Sequence, residues 1–201
     1  AVSPLLQAMR KDPSRRVLAE TLGSLGAEVR PAFPRLRRCF VSEDPKLATA
    51  AFIVYGALGK EAEPEFDVLV DALERTEPEV RSVGLYALAT LRPSLPQRND
   101  EIISAILKAG DHEDEGVVST ALSVVGSLES PHRTRGVPWA VELLKSSKSV
   151  SVQSAALTLL YSCGLRSDEL AGHVLEYIER GPPKNLQKFA VRVHERLTPK
   201  D

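Results

Sequence analysis

The 201 residues carry 26 Lys and Arg against 27 Asp and Glu, and they are 43% hydrophobic but only 5% aromatic. A net charge of −1 argues against a nucleic-acid partner, whose binders carry a strong basic excess, and the lack of alternating β-branched and aromatic runs argues against a β-sandwich. No stretch reaches the length of a membrane span and no signal-peptide pattern is present, while Cys39 and Cys163 have neither metal nor redox spacing, so a cytoplasmic protein with buried free thiols is expected.

Taken in chain order, six segments fall on one template. The first, at Asp12-Pro13, fits after deletion of one residue and leads to Leu18-Ala19, Leu22-Gly23 and Leu25-Gly26. Asp44-Pro45 leads to Ala51-Phe52, Tyr55-Gly56 and Leu58-Gly59, and Glu77-Pro78 leads to Gly84-Leu85, Leu88-Ala89 and Leu91. Asp114-Glu115 is followed by Ala121-Leu122, Val125-Gly126 and Leu128, and Ser149-Val150 by Ala156-Leu157, Leu160 and Cys163-Gly164. The last copy starts at Lys184 and gives Leu186, Ala190-Val191, His194 and Leu197. The zero points near 12, 45, 78, 115, 150 and 184 lie 33, 33, 37, 35 and 34 residues apart.

Apolar residues at +2, +6, +10 and +13 make one stripe on a helix of 3.6 residues per turn. The acidic residue before proline caps the helix, proline tolerates its first turn, and Gly26, Gly59 and Gly164 suit a left-handed C-terminal cap. A second amphipathic stretch precedes each copy: Pro4–Arg10, Pro34–Val41, Phe66–Arg75, Ile102–Lys108, Val137–Lys145 and Leu170–Ile178. The chain is thus expected to hold about six helical hairpins, which must stack because none can bury its apolar face alone.

The template resembles the HEAT-repeat family, whose second helix reads D-P-x-V-R-x-x-A-A-x-x-L-G; Glu77–Ala89 is its nearest copy, with Pro78, Val80, Arg81 and Leu88 in place. The resemblance implies an all-α, right-handed α–α superhelix and a single array over 1–201, with repeats near 1–26, 27–59, 60–93, 94–130, 131–165 and 166–201. The family's arginine is kept at Arg81 but replaced by Ala48, Val118, Gln153 and Gln187, so an Asp–Arg ladder between repeats is expected to be largely missing. The chain begins without a methionine, as a fragment of a longer protein would.

Candidate chemistry is sparse. His112-Glu113 and His194-Glu195 echo the paired motifs of HEAT-type iron hydroxylases, but one falls in a loop at −3 and the other inside a helix at +10, so they are not equivalent. The acidic run Gly110–Glu115 reads as a helix start favoured by the dipole, without the ligand spacing of an EF-hand. HEAT-like DNA glycosylases imply a basic, aromatic concave face, for which the single tryptophan, Trp139, is a poor match. No nucleophile motif or phosphate-binding glycine loop is present, and neither catalysis, nor a metal, nor a cofactor is expected.

In the resembled family the second helices line the concave face, which puts positions +4, +8 and +12 there. These read Thr49, Ile53, Ala57; Ser82, Tyr86, Thr90; Ser119, Ser123, Ser127; and Ser154, Thr158, Ser162, with no charge in four consecutive repeats. A solvated helix face would carry Lys, Glu or Arg, which are better helix formers. Crowding of helices in a tight superhelix would select the same small residues.

Charge is dipolar along the chain: net +5 over residues 1–60, −9 over 61–120 and +3 over 121–201. Lys188, Arg192 and Arg196 give a basic rim at one end, Arg16 and Glu20 mark the other, and Arg35, Arg37 and Arg38 read as a solvated face.

The expected function is therefore a non-catalytic scaffold or adaptor binding a protein partner, as a peptide or helix segment, on the concave ridge, with Ile53 and Tyr86 as anchors. The alternatives are an enzyme or enzyme subunit on the same frame, similar to bilin lyases or nucleic-acid repair factors, and a structural spacer in a longer array.

Overall fold

The computed structural model describes residues 1–199, apart from the Arg75 side chain, and contains no strand among them. Twelve α-helices follow one another: α1 (Val2–Lys11), α2 (Arg16–Ser24), α3 (Phe33–Arg37), α4 (Pro45–Leu58), α5 (Phe66–Arg75), α6 (Pro78–Leu91), α7 (Asn99–Gly110), α8 (Glu115–Ser127), α9 (Val137–Ser146), α10 (Val150–Ser162), α11 (Asp168–Glu179) and α12 (Lys184–Leu197). The even-numbered helices are the template segments. The chain divides into two compact units, Ala1–Ala109 and Gly110–Asp201.

Local chemistry sets the helix starts. The Asp44 carboxylate accepts the Lys46 N–H at 3.0 Å and Asp114 accepts the Val117 N–H at 2.9 Å, each satisfying a donor that the first turn leaves orphaned. Glu77 holds the corresponding place before α6 without a side-chain cap bond, and Pro78 supplies the preset φ. Gly26 and Gly59 turn the chain with φ of 59° and 58°, a region that L side chains avoid. A 3-10 turn carrying Pro31 or Pro64 follows each, and Phe33 or Phe66 opens the next helix.

One first-layer helix is shorter than the Pro34–Val41 stretch read from the sequence. α3 ends at Arg37, and 3-10-type bonds from Cys39 N–H to Leu36 O and Phe40 N–H to Arg37 O carry the chain onward. This loosening lets Phe40 pack 4.7 Å from the Phe52 ring and 6.0 Å from Tyr55.

In the first unit α4 is the central helix, packed between α2 and α6, with Ala48, Ala50, Ala51, Phe52, Val54 and Tyr55 all buried. A helix apolar on every side belongs in a core rather than at a surface. Close approach explains its small residues: a Cβ on Gly23 would fall 2.5 Å from Ala57 Cβ and 2.6 Å from the Val54 carbonyl, and one on Gly56 3.4 Å from Ala87 Cα. A buried carboxylate, Glu65, accepts two guanidinium bonds from Arg37 and the Tyr55 hydroxyl at 3.3 Å. Arg37 is thus paired, where the sequence suggested a solvated cation.

In the second unit α10 packs against α8, α9 and α12, with Val152, Ala155, Ala156, Leu157, Leu159 and Leu160 buried. Gly126 sets the α8–α10 approach, its would-be Cβ lying 3.6 Å from Leu159 Cα.

The +3 side chain of the template has a job the resemblance did not suggest. Arg81 donates to the Glu74 carbonyl at 2.7 Å, Gln153 to the Ser147 carbonyl at 2.8 Å and Gln187 to the Pro182 carbonyl at 3.3 Å. Each closes the turn between the two helices of its own hairpin, so glutamine replaces arginine there without losing the bond. Gln153 is further held by the Tyr177 hydroxyl, which donates to its Oε1 at 2.8 Å.

Candidate binding groove

The surface of α2, α4 and α6 in the first unit carries an open groove of about 510 Å3. Phe52 forms its floor and is fully buried; Gly56, Ala57 and Ala87 keep it shallow; Ile53, Val83, Tyr86 and Thr90 flank it. Arg16 and Glu20 border it from α2, tied to each other by an ion pair of 2.6 Å in which both side chains are largely exposed. The groove is therefore apolar apart from one self-neutralised edge. Tyr86 stands out as a large aromatic side chain that is 56% exposed.

The ridge residues named from the sequence separate between the units. Thr49 and Ile53 lie on α4 and Ser82, Tyr86 and Thr90 on α6, and of these Ile53, Tyr86 and Thr90 border the groove together. Ser119 and Ser123 on α8 and Ser154 and Thr158 on α10 belong to the second unit. All nine are at least partly accessible.

Their hydroxyls are mostly spent on their own helices. Ser82 donates to Pro78 O at 3.1 Å, Thr90 to Tyr86 O at 2.8 Å, Ser119 to Gly116 O at 3.1 Å, Ser123 to Ser119 O at 2.8 Å and Thr158 to Ser154 O at 2.8 Å. Such back-bonding occupies the donor and leaves oxygen lone pairs outward, a surface that makes few directional demands on what lies against it.

At the other end of the chain, Lys188, Arg192 and Arg196 stand exposed on α12. Arg196 is engaged: its Nε donates to the Tyr161 carbonyl at 2.7 Å and its guanidinium lies 4.6 Å from the centre of the Tyr161 ring.

His112 Nδ1 accepts the Asp114 N–H at 3.0 Å in the loop before α8, and His194 lies within α12. Among the described residues no group of three or more His, Cys, Asp or Glu is placed to hold a metal ion. Cys39 and Cys163 are both buried and free, and burial pushes the Cys39 thiol pKa up. No helix of the described residues is long and apolar enough to cross a membrane.

Val83, Arg16 and Glu20 join the groove without having been singled out with Ile53 and Tyr86. The hydrophobic template assigns faces within one helix but does not say which neighbouring helix closes against them. Arg16 and Glu20 carried a signal, as the only charges in ridge register at that end.

Comparison with known proteins agrees with this geometry. Residues 2–89 match a family model of HEAT repeats. No curated protein matches the chain. Among solved structures, a designed armadillo repeat protein, YIII(Dq.V1)4CPAF, in complex with peptide (KR)4, is 15% identical with a TM-score of 0.60, over 98% of this chain and 99% of that one. An engineered protein is 16% identical with a TM-score of 0.59, over 98% of each chain. A second designed armadillo repeat protein, YIII(Dq)4CqI, is 15% identical with a TM-score of 0.57, over 98% of this chain and 100% of that one. At such identities the likeness is one of fold, an armadillo-like solenoid of α-helical hairpins.

Proposed function

We propose that this chain, a HEAT/armadillo-like repeat protein, is a non-catalytic protein-binding scaffold whose α2–α4–α6 groove receives an apolar peptide segment of its partner. The observation that carries the reading is the exposure of Tyr86 beside Ile53 over a Phe52 floor. Exposed aromatics flanking an apolar concavity are where binding energy concentrates. The partner segment presents apolar side chains at helical spacing, because the groove follows helix faces and offers no sheet edge for an extended strand.

The designed armadillo protein of similar fold carries a basic peptide, but this groove differs in its chemistry. Its two charged residues, Arg16 and Glu20, neutralise one another, so it suits an apolar segment rather than a polycation. The hydroxyl ridge of α8 and α10 gives the second unit an adaptable surface of its own, and all six repeats over 1–201 belong to the proposed array. An adaptor in the cytoplasm is the setting that this reading implies.

The test is calorimetric titration of the chain with an amphipathic helical peptide bearing Leu at every third or fourth position. Binding that falls at least tenfold in Tyr86→Ala supports the groove, on the scale of an aromatic hot spot worth about 2 kcal/mol. Equal affinity for the variant refutes it.

A further inference from the structure

The last helix carries a row of cations that the fold does not use. Lys184, Lys188 and Arg192 recur every fourth residue on α12, all three exposed and without an ion pair among the described residues. The opposite side of the same helix, Leu186, Ala190, Val193 and Leu197, is buried. The arrangement is costly for a helix: α12 has no acidic residue in its first turn, and Lys184 adds its charge at the positive end of the dipole. α5, α6, α7, α8 and α11 carry Asp or Glu in the first turn, whereas α12, like α10, carries none. Glu195 is the one acidic residue of α12 and lies near its C-terminal end, so the positive potential concentrates over the first half.

The geometry points to this row as a docking surface for an acidic protein segment, with carboxylates meeting Lys184, Lys188 and Arg192. Successive cations stand about 6 Å apart along the axis, which a partner helix with Asp or Glu at every fourth residue reproduces. Two features favour that partner over other polyanions. Single-stranded nucleic acid needs open aromatic platforms, and the nearby Tyr161 ring already packs against Arg196 at 4.6 Å and Phe189 at 5.9 Å. An anionic membrane needs an apolar face to insert, and on α12 that face is buried, leaving Val191 exposed at 42%. This inference does not rest on the groove of the first unit.

The test uses the whole chain and a fluorescein-labelled helical peptide with Glu at every fourth position, followed by fluorescence anisotropy. The Glu peptide binds, its Gln counterpart does not, and added salt weakens the complex. Lys188→Glu/Arg192→Glu lowers affinity by about tenfold or more, while Lys46→Glu/Lys60→Glu leaves it near wild type. Circular dichroism checks folding, and Lys188→Gln/Arg192→Gln gives a smaller loss should the reversed pair not fold. The inference is overturned if neither peptide binds, if both bind alike, or if the charge changes have no effect. Tighter binding of a single-stranded oligonucleotide or of phosphatidylserine vesicles through the same residues also overturns it. So does concentration-dependent self-association that these substitutions abolish, since the row would then belong to a second copy of the chain.

Discussion

Arg37 reaches across 28 residues of sequence to grip the carboxylate of Glu65, whose side chain is only 2% exposed. The carboxylate sits at the foot of α5 and the guanidinium at the end of α3, so the pair ties one hairpin to the next. Glu65 raises the Arg37 pKa above its ordinary value, by hydrogen bond first and charge second. Removing the arginine strands a buried carboxylate, whereas removing Arg30 strands the more accessible Glu61. Arg37→Met should therefore lower the Tm more than Arg30→Met, as thermal unfolding followed by circular dichroism would report.

The same cluster predicts an alkaline weakness. Burial, then the charge of Glu65, raises the Tyr55 pKa well above the ordinary 10.0 of a phenol. The folded protein thus keeps a proton that the unfolded chain releases near that pH, so stability is fully present below it and declines as pH rises beyond it. Tyr177 acts in the same direction, its pKa raised by burial. Tyr55→Phe should flatten part of the decline in urea midpoint above pH 10.0. At neutral pH it costs about 1 kcal/mol for the lost hydroxyl bond.

Glycines at equivalent template positions should respond with opposite sign. A methyl group on Gly23 meets the Val54 carbonyl and Ala57 Cβ at under 3 Å, and backbone cannot step aside, so Gly23→Ala should destabilise by about 1–3 kcal/mol. On Gly126 the same methyl makes ordinary contact with Leu159, and the gain in helix propensity should stabilise Gly126→Ala by up to about 1 kcal/mol. Denaturant midpoints of the two variants measure this directly.

The hydroxyl ridge separates crowding from recognition. Ser123 and Thr158 are exposed and bond only to their own helices. Ser123→Arg and Thr158→Glu should leave stability within about 0.5 kcal/mol of wild type. A loss of several kcal/mol from either would mean that packing had selected the small side chains.

The second helices were legible by their apolar stripe, reinforced at α4, α6 and α8 by a proline or acidic start that α10 and α12 lack. α4, α6, α8, α10 and α12 begin within a residue of the template positions. The first layer was less legible at α3, where Phe40 abandons helical register to reach Phe52. The burial of Glu65 was invisible, since its partners lie 10 and 28 residues away and no periodicity links them. The work of Gln153 and Gln187 was hidden for a different reason: the resemblance named an arginine, whereas the turn needs only a side-chain N–H of sufficient reach. Ile53 and Tyr86 were found by register, because charge is missing where a solvated face would carry it. Val83 and the buried floor of Phe52 became groove features only once the neighbouring helices were in place.

The most direct test of the central claim is selection of helical peptides from a displayed library on the wild-type chain, followed by calorimetry against Ile53→Glu and Tyr86→Glu. A peptide-binding groove on α2, α4 and α6 selects peptides with apolar residues at helical spacing whose affinity falls at least tenfold in each variant, about 1.4 kcal/mol, with folding unchanged. Selected peptides that bind both variants as tightly as wild type would contradict it.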